Sequence, residues 1–236
     1  MKSGRGFFFT FEGIEGSGKT TIAQACVERL LFHRLDAVYV QDPGGCPISR
    51  SIRDILLYTD EKISPETELL LFAASRAQLV SGVIGPALAS GKIVVCDRYI
   101  DSTVAYQGYG RGMNMRDIDV LNNLACKESW YESSRFPLAA ETCRTHHEGN
   151  ENILFSRELL PDVTFLLDLP VDTGLGRQKR IDRISSEHIE FHERVRKGFL
   201  ESAAAHPNRI TVIDASQSLD IVKDAVWKVM SNLIID

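Results

Sequence analysis

The chain has 236 residues, of which 44% are hydrophobic and 25% charged, and carries a formal net charge of −5. That length allows one large domain or two small ones with a substantial buried core. No long basic block points to a nucleic-acid partner, there is no acidic tail, and the early apolar run "FFFTF" stops at Glu12, too short to span a bilayer.

Cysteines occur at 26, 46, 96, 126 and 143; none forms a C-x-x-C pair and the odd count leaves no complete disulfide set. Cys26 and Cys96 sit inside apolar patterns and read as small hydrophobes. Both facts fit a reducing compartment, and cytoplasmic residence is the expectation.

In chain order, "GFFFTFE" reads as a buried strand, and residues 20–35 carry Ile22, Cys26 and Leu30 at helical spacing. "AVYV" (37–40) is a second strand, followed by the turn-rich "QDPGGCP". A helix is predicted over 48–58. Another starts at Pro65, where Ser64 suits the cap and proline the first helical position, and continues at least to Val80. "KIVVCD" (92–97), "DVTFLLDLP" (162–170) and "ITVID" (210–214) are further strands, with helices predicted from Val171 and after Ser218. This alternation predicts an α/β fold in three layers: a mostly parallel five-stranded sheet with helices on both faces. Residues 127–157 are polar and poorly periodic, and read as a surface insertion in a single domain spanning 1–236.

Between the first strand and first helix lies "FEGIEGSGKTT", containing Gly13-x4-Gly18-Lys19-Thr20, the pattern of a P-loop. Its chemistry requires backbone N–H groups to converge on phosphate oxygens, which glycine permits by removing the side chain. The following helix adds its N-terminal amides and the positive end of its dipole. Gly13, Ile14, Glu15, Gly16, Ser17, Gly18, Lys19, Thr20 and Thr21 are therefore the candidate ATP-phosphate cradle. Lys19 is aimed at the β and γ phosphates and the Thr20 hydroxyl at Mg²⁺. A guanine-reading Asn-Lys-x-Asp motif is absent from the sequence.

Four further stretches follow in order: "DPGGCPISRSIRDILL", "LLFAASRAQLV", "DRYIDSTVAYQGYGRG" and "LPDVTFLLDLP". With the glycine-rich loop they resemble the bacterial thymidylate kinases, within the P-loop nucleoside monophosphate kinases. The resemblance implies ATP- and Mg²⁺-dependent phosphorylation of thymidine monophosphate (dTMP) to the diphosphate, and a homodimer. It implies that Phe72 stacks on thymine and that Arg76, four residues on and so on the same helix face, hydrogen-bonds the base. Arg98 would clamp the acceptor phosphate. Asp97 would order the magnesium shell or orient Arg98. Thr103, Tyr106 and Gln107 would surround base and sugar. Asp42 and Pro43, in a loop where the family usually begins with glutamate, would border the acceptor with Arg53. Glu15 occupies the position of the family's loop acid, and would help place the acceptor sugar or the metal shell. This loop lacks the arginine that some family members carry, which assigns the catalytic cation to a lid at about 176–187.

Arg177, Lys179, Arg180 and Arg183 place four cations within seven residues there. Arg180 is the first choice for the catalytic arginine and Arg177 the second, with Arg183 as a positioning residue. Cys126, Cys143, His146, His147 and Glu148 match no standard zinc frame. Two other functions remain open from sequence: another nucleoside or nucleotide kinase of this fold, and a nucleotide-binding regulator without turnover.

Overall fold

The computed structural model describes residues 6–127, 158–178 and 182–234. Five strands form one sheet in the order β2-β3-β1-β4-β5, and every neighbouring pair is parallel. They are β1 (Phe8–Glu12), β2 (Ala37–Gln41), β3 (Ile93–Asp97), β4 (Val163–Asp168) and β5 (Ile210–Asp214). All of β1 and β3 is buried, as expected of parallel strands covered on both faces, while the edge strands β2 and β5 are only partly buried.

Alternation along β1 builds two cores. Phe9 and Phe11 join Ile22, Phe165, Phe199 and Val226 on one face. Phe8 joins Val94, Cys96, Leu79 and Leu88 on the other. Cys26 and Cys96 are buried free thiols, as their apolar settings suggested.

The helices are α1 (Lys19–Phe32), α2 (Pro47–Tyr58), α3 (Pro65–Leu79), α4 (Gly85–Ala89), α5 (Ile100–Thr103), α6 (Met115–Ala125), α7 (Val171–Arg177), α8 (Ile189–Ala205) and α9 (Leu219–Ile234). Ser64 caps α3 by accepting from the Thr67 N–H at 3.2 Å, with Pro65 in the first turn. A π-helical turn, Val80–Ile84, joins α3 to α4. The resulting rod, Pro65–Ala89, is long and apolar enough to cross a membrane by length and composition. Its Glu68 and Arg76 are nevertheless buried in ion pairs with other elements, so packing inside this domain accounts for its apolar character. A second π-helical segment, Val104–Gly110, extends α5 and carries Tyr106 and Gln107. Helices α6 and α8 are additional to the elements read from the sequence. The part of the predicted insertion from 128 to 157, with Cys143, His146, His147 and Glu148, lies outside the described residues, as do Lys179 and Arg180.

Candidate active site

Parallel strands turn their carboxyl ends to one rim of the sheet, where doubly wound folds place ligands. There, beyond β1 and β3, a cavity of about 210 Å³ opens. Of the residues singled out in sequence, Glu15, Gly16, Lys19, Thr20, Asp42, Pro43, Arg53, Phe72, Arg76, Asp97, Arg98, Thr103, Tyr106 and Gln107 line it together. Gly13, Ile14, Ser17, Gly18 and Thr21 form the loop and helix start behind that wall.

The loop from Gly13 to Gly18 has the shape its composition requires. Gly18 caps α1 at φ 86°, a left-handed conformation that costs glycine little. Gly16, at φ 70°, touches α7 so closely that a Cβ would lie 1.9 Å from the Gly174 carbonyl oxygen. A Cβ has no room there unless the backbone shifts. The Ser17 hydroxyl is buried with no partner among the described residues, an open donor inside the loop. Lys19 folds back on the loop and donates from Nζ to the Ile14 carbonyl at 2.9 Å. Burial, and next the Arg98 charge, push its ammonium down to about 8.

Arg98 stands at the end of β3 with φ 71°, rare for a side-chain-bearing residue, and reaches back to the loop. Its Nη1 donates to the Gly13 carbonyl and the Ser102 hydroxyl, both at 3.1 Å. Its Nη2 donates to Glu15 Oε1 and the Tyr106 hydroxyl, both at 3.0 Å. The Tyr106 hydroxyl in turn donates to Glu15 Oε1. Glu15 Oε2 faces Nδ1 of the buried His192 at 3.3 Å, without hydrogen-bond alignment. Burial alone would raise the Glu15 carboxyl, but His192, Arg98, Lys19 and Tyr106 together hold it well below the usual carboxylate range. Behind them, fully buried Glu12 accepts from the Tyr99 N–H at 2.7 Å and the Ser102 hydroxyl at 2.6 Å, shaping the turn that carries Arg98.

On the far side, Phe72 and Arg76 share one face of α3, as their spacing implied. Arg76 is 1% exposed and heavily committed. Nε donates to Asp42 at 2.6 Å, Nη1 to Thr103 and Asn122, and Nη2 to the Tyr99 carbonyl. One N–H of the five remains for a ligand. Asp42 thus holds Arg76 in the cavity wall. Arg53 donates to the Pro43 carbonyl at 2.8 Å and is held at the rim. Gln107 donates from Nε2 to buried Glu68 at 2.9 Å.

Thr20 donates its hydroxyl to Asp97 Oδ2, which also accepts from the Tyr39 hydroxyl at 3.1 Å. One hydroxyl and one carboxylate beside a phosphate cradle are hard oxygen donors, and they suit Mg²⁺, which keeps several waters and takes the rest of its ligands from phosphates. Among the described residues no cluster of three His, Cys, Asp or Glu groups could hold a metal by itself.

The segment read as a lid is described at both ends. Gln178, Asp182 and Ile184 line the cavity. Arg183 donates to the Leu56 carbonyl at 2.8 Å and to Glu68, joining the segment to α2 and α3. Arg177, the second choice for the catalytic arginine, instead donates to the Ala215 carbonyl at 3.0 Å and does not line the cavity. At the end of α7 its side chain is turned toward the residue that follows β5. Arg180 lies outside the described residues.

Sequence reading passed over Glu12, Glu68, Tyr39, Gln41 and His192. Glu68 carried a legible signal, since 68, 72 and 76 recur every four residues on one helix face. His192 and Tyr39 come from elements distant in sequence and had none.

Comparison with known proteins bears on the whole chain. The family model described as thymidylate kinase matches residues 11–131 and 135–226. The chain belongs to the thymidylate kinase family. The thymidylate kinase of Syntrophotalea carbinolica is 41% identical over 238 residues, covering 97% of this chain and 96% of that one. That of Pelobacter propionicus is 42% identical over 231 residues, covering 94% and 92%. The crystal structure of thymidylate kinase from Ehrlichia chaffeensis superposes with a TM-score of 0.69 at 32% identity, covering 96% of this chain and 99% of that one. The thymidylate kinase match also runs through most of 127–157, leaving out only 132–134 there.

Proposed function

We propose that the chain transfers the γ-phosphoryl group of ATP to the phosphate of dTMP, with Mg²⁺, giving thymidine diphosphate and ADP for dTTP synthesis. The observation that carries this is the sharing of one cavity by three kinds of group. Lys19 and Thr20 of the glycine-rich loop, Arg98 from the end of β3, and Phe72, Arg76 and Gln107 all line it.

Phosphoryl transfer is mainly placement and charge stabilisation. The loop amides and Lys19 hold the β and γ phosphates of ATP, and Thr20 and Asp97 hold Mg²⁺. When bound, the metal neutralises charge on the phosphate oxygens. Arg98 orients the acceptor phosphate, whose oxygen is already anionic, so no strong general base is required. Glu15, kept ionised, fixes Arg98 and Tyr106 and accepts a hydrogen bond from the acceptor sugar. Arg53, Asp42 and Pro43 border the acceptor, and Thr103 and Tyr106 pack around base and sugar. The lid supplies the cation that the loop lacks, with Arg180 in that role, and closure excludes water.

The active form is a homodimer in the cytoplasm, with no nucleic-acid or membrane partner. Its supporting feature is the apolar exposure of Ile48 and Ile55 on α2, Leu70 on α3, and Val120 and Leu124 on α6. A panel of nucleoside monophosphates with MgATP, followed by ADP release, tests the reaction. We expect dTMP to be preferred; a preference for cytidylate or guanylate would refute it.

A further inference from the structure

Glu68 is 1% exposed and is bonded on both oxygens. Oε1 accepts from Gln107 Nε2 at 2.9 Å and from Arg111 Nε at 3.1 Å. Oε2 accepts from Arg111 Nη2 at 3.1 Å and from Arg183 Nη2. Burial favours the neutral acid, but these donors hold the carboxyl below its ordinary value. An ionised carboxylate only accepts hydrogen bonds. Gln107 therefore has one acceptable amide orientation: NH₂ toward Glu68, carbonyl Oε1 away from it. Gln107 lines the cavity, and its Oε1 has no protein partner among the described residues. Arg76 lines the same cavity and keeps one unused N–H.

We infer that Glu68 is a specificity-determining residue: it locks the Gln107 amide so that the cavity presents an acceptor beside a donor. This rests on the reading of that cavity as the base site. Thymine and uracil offer the complement, an N3–H donor next to the O4 acceptor. Cytosine offers the reverse, an N3 acceptor next to an N4 amino donor, and meets a carbonyl facing a lone pair and an N–H facing an N–H. A free glutamine would turn over and remove half of that conflict; a glutamine pinned by a carboxylate does not. The discrimination resides in a residue that never touches the base.

Glu68→Gln tests this directly. The two guanidinium groups on Oε2 retain the new amide's oxygen there, which puts its NH₂ where Oε1 met Gln107. Gln107 must then invert and offer NH₂ to the base. Steady-state kcat/KM is measured for dTMP, dUMP and dCMP in four proteins: the parent, Glu68→Gln, Arg111→Met and Gln107→Leu. Glu68→Gln is expected to lower the dTMP-to-dCMP ratio by about tenfold or more. The dTMP-to-dUMP ratio should stay within about twofold, because those bases share one hydrogen-bonding edge. Arg111→Met, compared at alkaline pH where Glu68 stays ionised with Arg183 still on Oε2, removes other bonds to Glu68 but leaves its contact with Gln107, so its dTMP-to-dCMP ratio should match the parent's. An unchanged ratio in Glu68→Gln, with a lowered one in Gln107→Leu, overturns the inference and leaves the base site standing. Equal losses in Arg111→Met and Glu68→Gln also overturn it, since general loosening then explains both. An unchanged ratio in Gln107→Leu overturns the base-site reading itself. If Glu68→Gln fails to fold, Glu68→Asp keeps the charge and withdraws it from Gln107; its ratio should fall too, and an unchanged ratio counts against the inference.

Discussion

Above about pH 8, Lys19 is expected to take up a proton when nucleotide binds. Burial and the nearby Arg98 charge lower its ammonium from 10.5 to about 8, with Glu15, Asp97 and Glu12 offsetting part of the shift. Phosphate oxygens in place of the Ile14 carbonyl would restore the charged form. The sign follows: ATP binding is strongest below that value and weakens as pH rises through it. Only the protonated fraction is competent, so the apparent Kd rises by about tenfold, ~1.4 kcal/mol, between about pH 7 and about pH 9. Titration calorimetry in buffers of different protonation enthalpy should show about 0.9 proton taken up per ATP at about pH 9, against about 0.1 at about pH 7. Lys19→Met should bind weakly with no such dependence, and Lys19→Ala should lose turnover while keeping the fold. A flat Kd with no proton uptake would refute the view that a desolvated Lys19 meets the phosphates.

Three other substitutions probe separate contacts. Phe72→Ala removes the ring expected to stack on thymine, and should raise the KM for dTMP by an amount equivalent to about 1–3 kcal/mol with the KM for ATP little changed. Gly16→Ala places a methyl group against the Gly174 carbonyl at positive φ. It should cost at least ~2 kcal/mol in thermal or denaturant unfolding and weaken ATP binding. Arg76→Met strands Asp42, which is 2% exposed, without its ion-pair partner. Denaturant titration should show a loss of about 3–5 kcal/mol, with partial recovery on adding Asp42→Asn.

The sheet was legible because parallel strands covered on both faces write continuous apolar runs, as in β1 and β3. The phosphate loop was legible because a backbone cradle demands glycine at fixed spacing. The π-helical segments Val80–Ile84 and Val104–Gly110 were not, since a shift in hydrogen-bond register leaves no mark on apolar periodicity. Arg76 was placed on the correct helix face by its spacing from Phe72, but its four protein hydrogen bonds join residues far apart in the chain. Arg177 shows the converse. A basic residue in the expected segment was assigned to the site by position, and its side chain bonds to Ala215 instead.

A crystal structure with Mg²⁺, ADP and dTMP tests the shared cavity most directly. It should show Lys19 Nζ moved from the Ile14 carbonyl to the β-phosphate, thymine against Phe72, and the dTMP phosphate on Arg98. Finding dTMP bound elsewhere, or Lys19 still on Ile14 with nucleotide present, would contradict the assignment of this cavity.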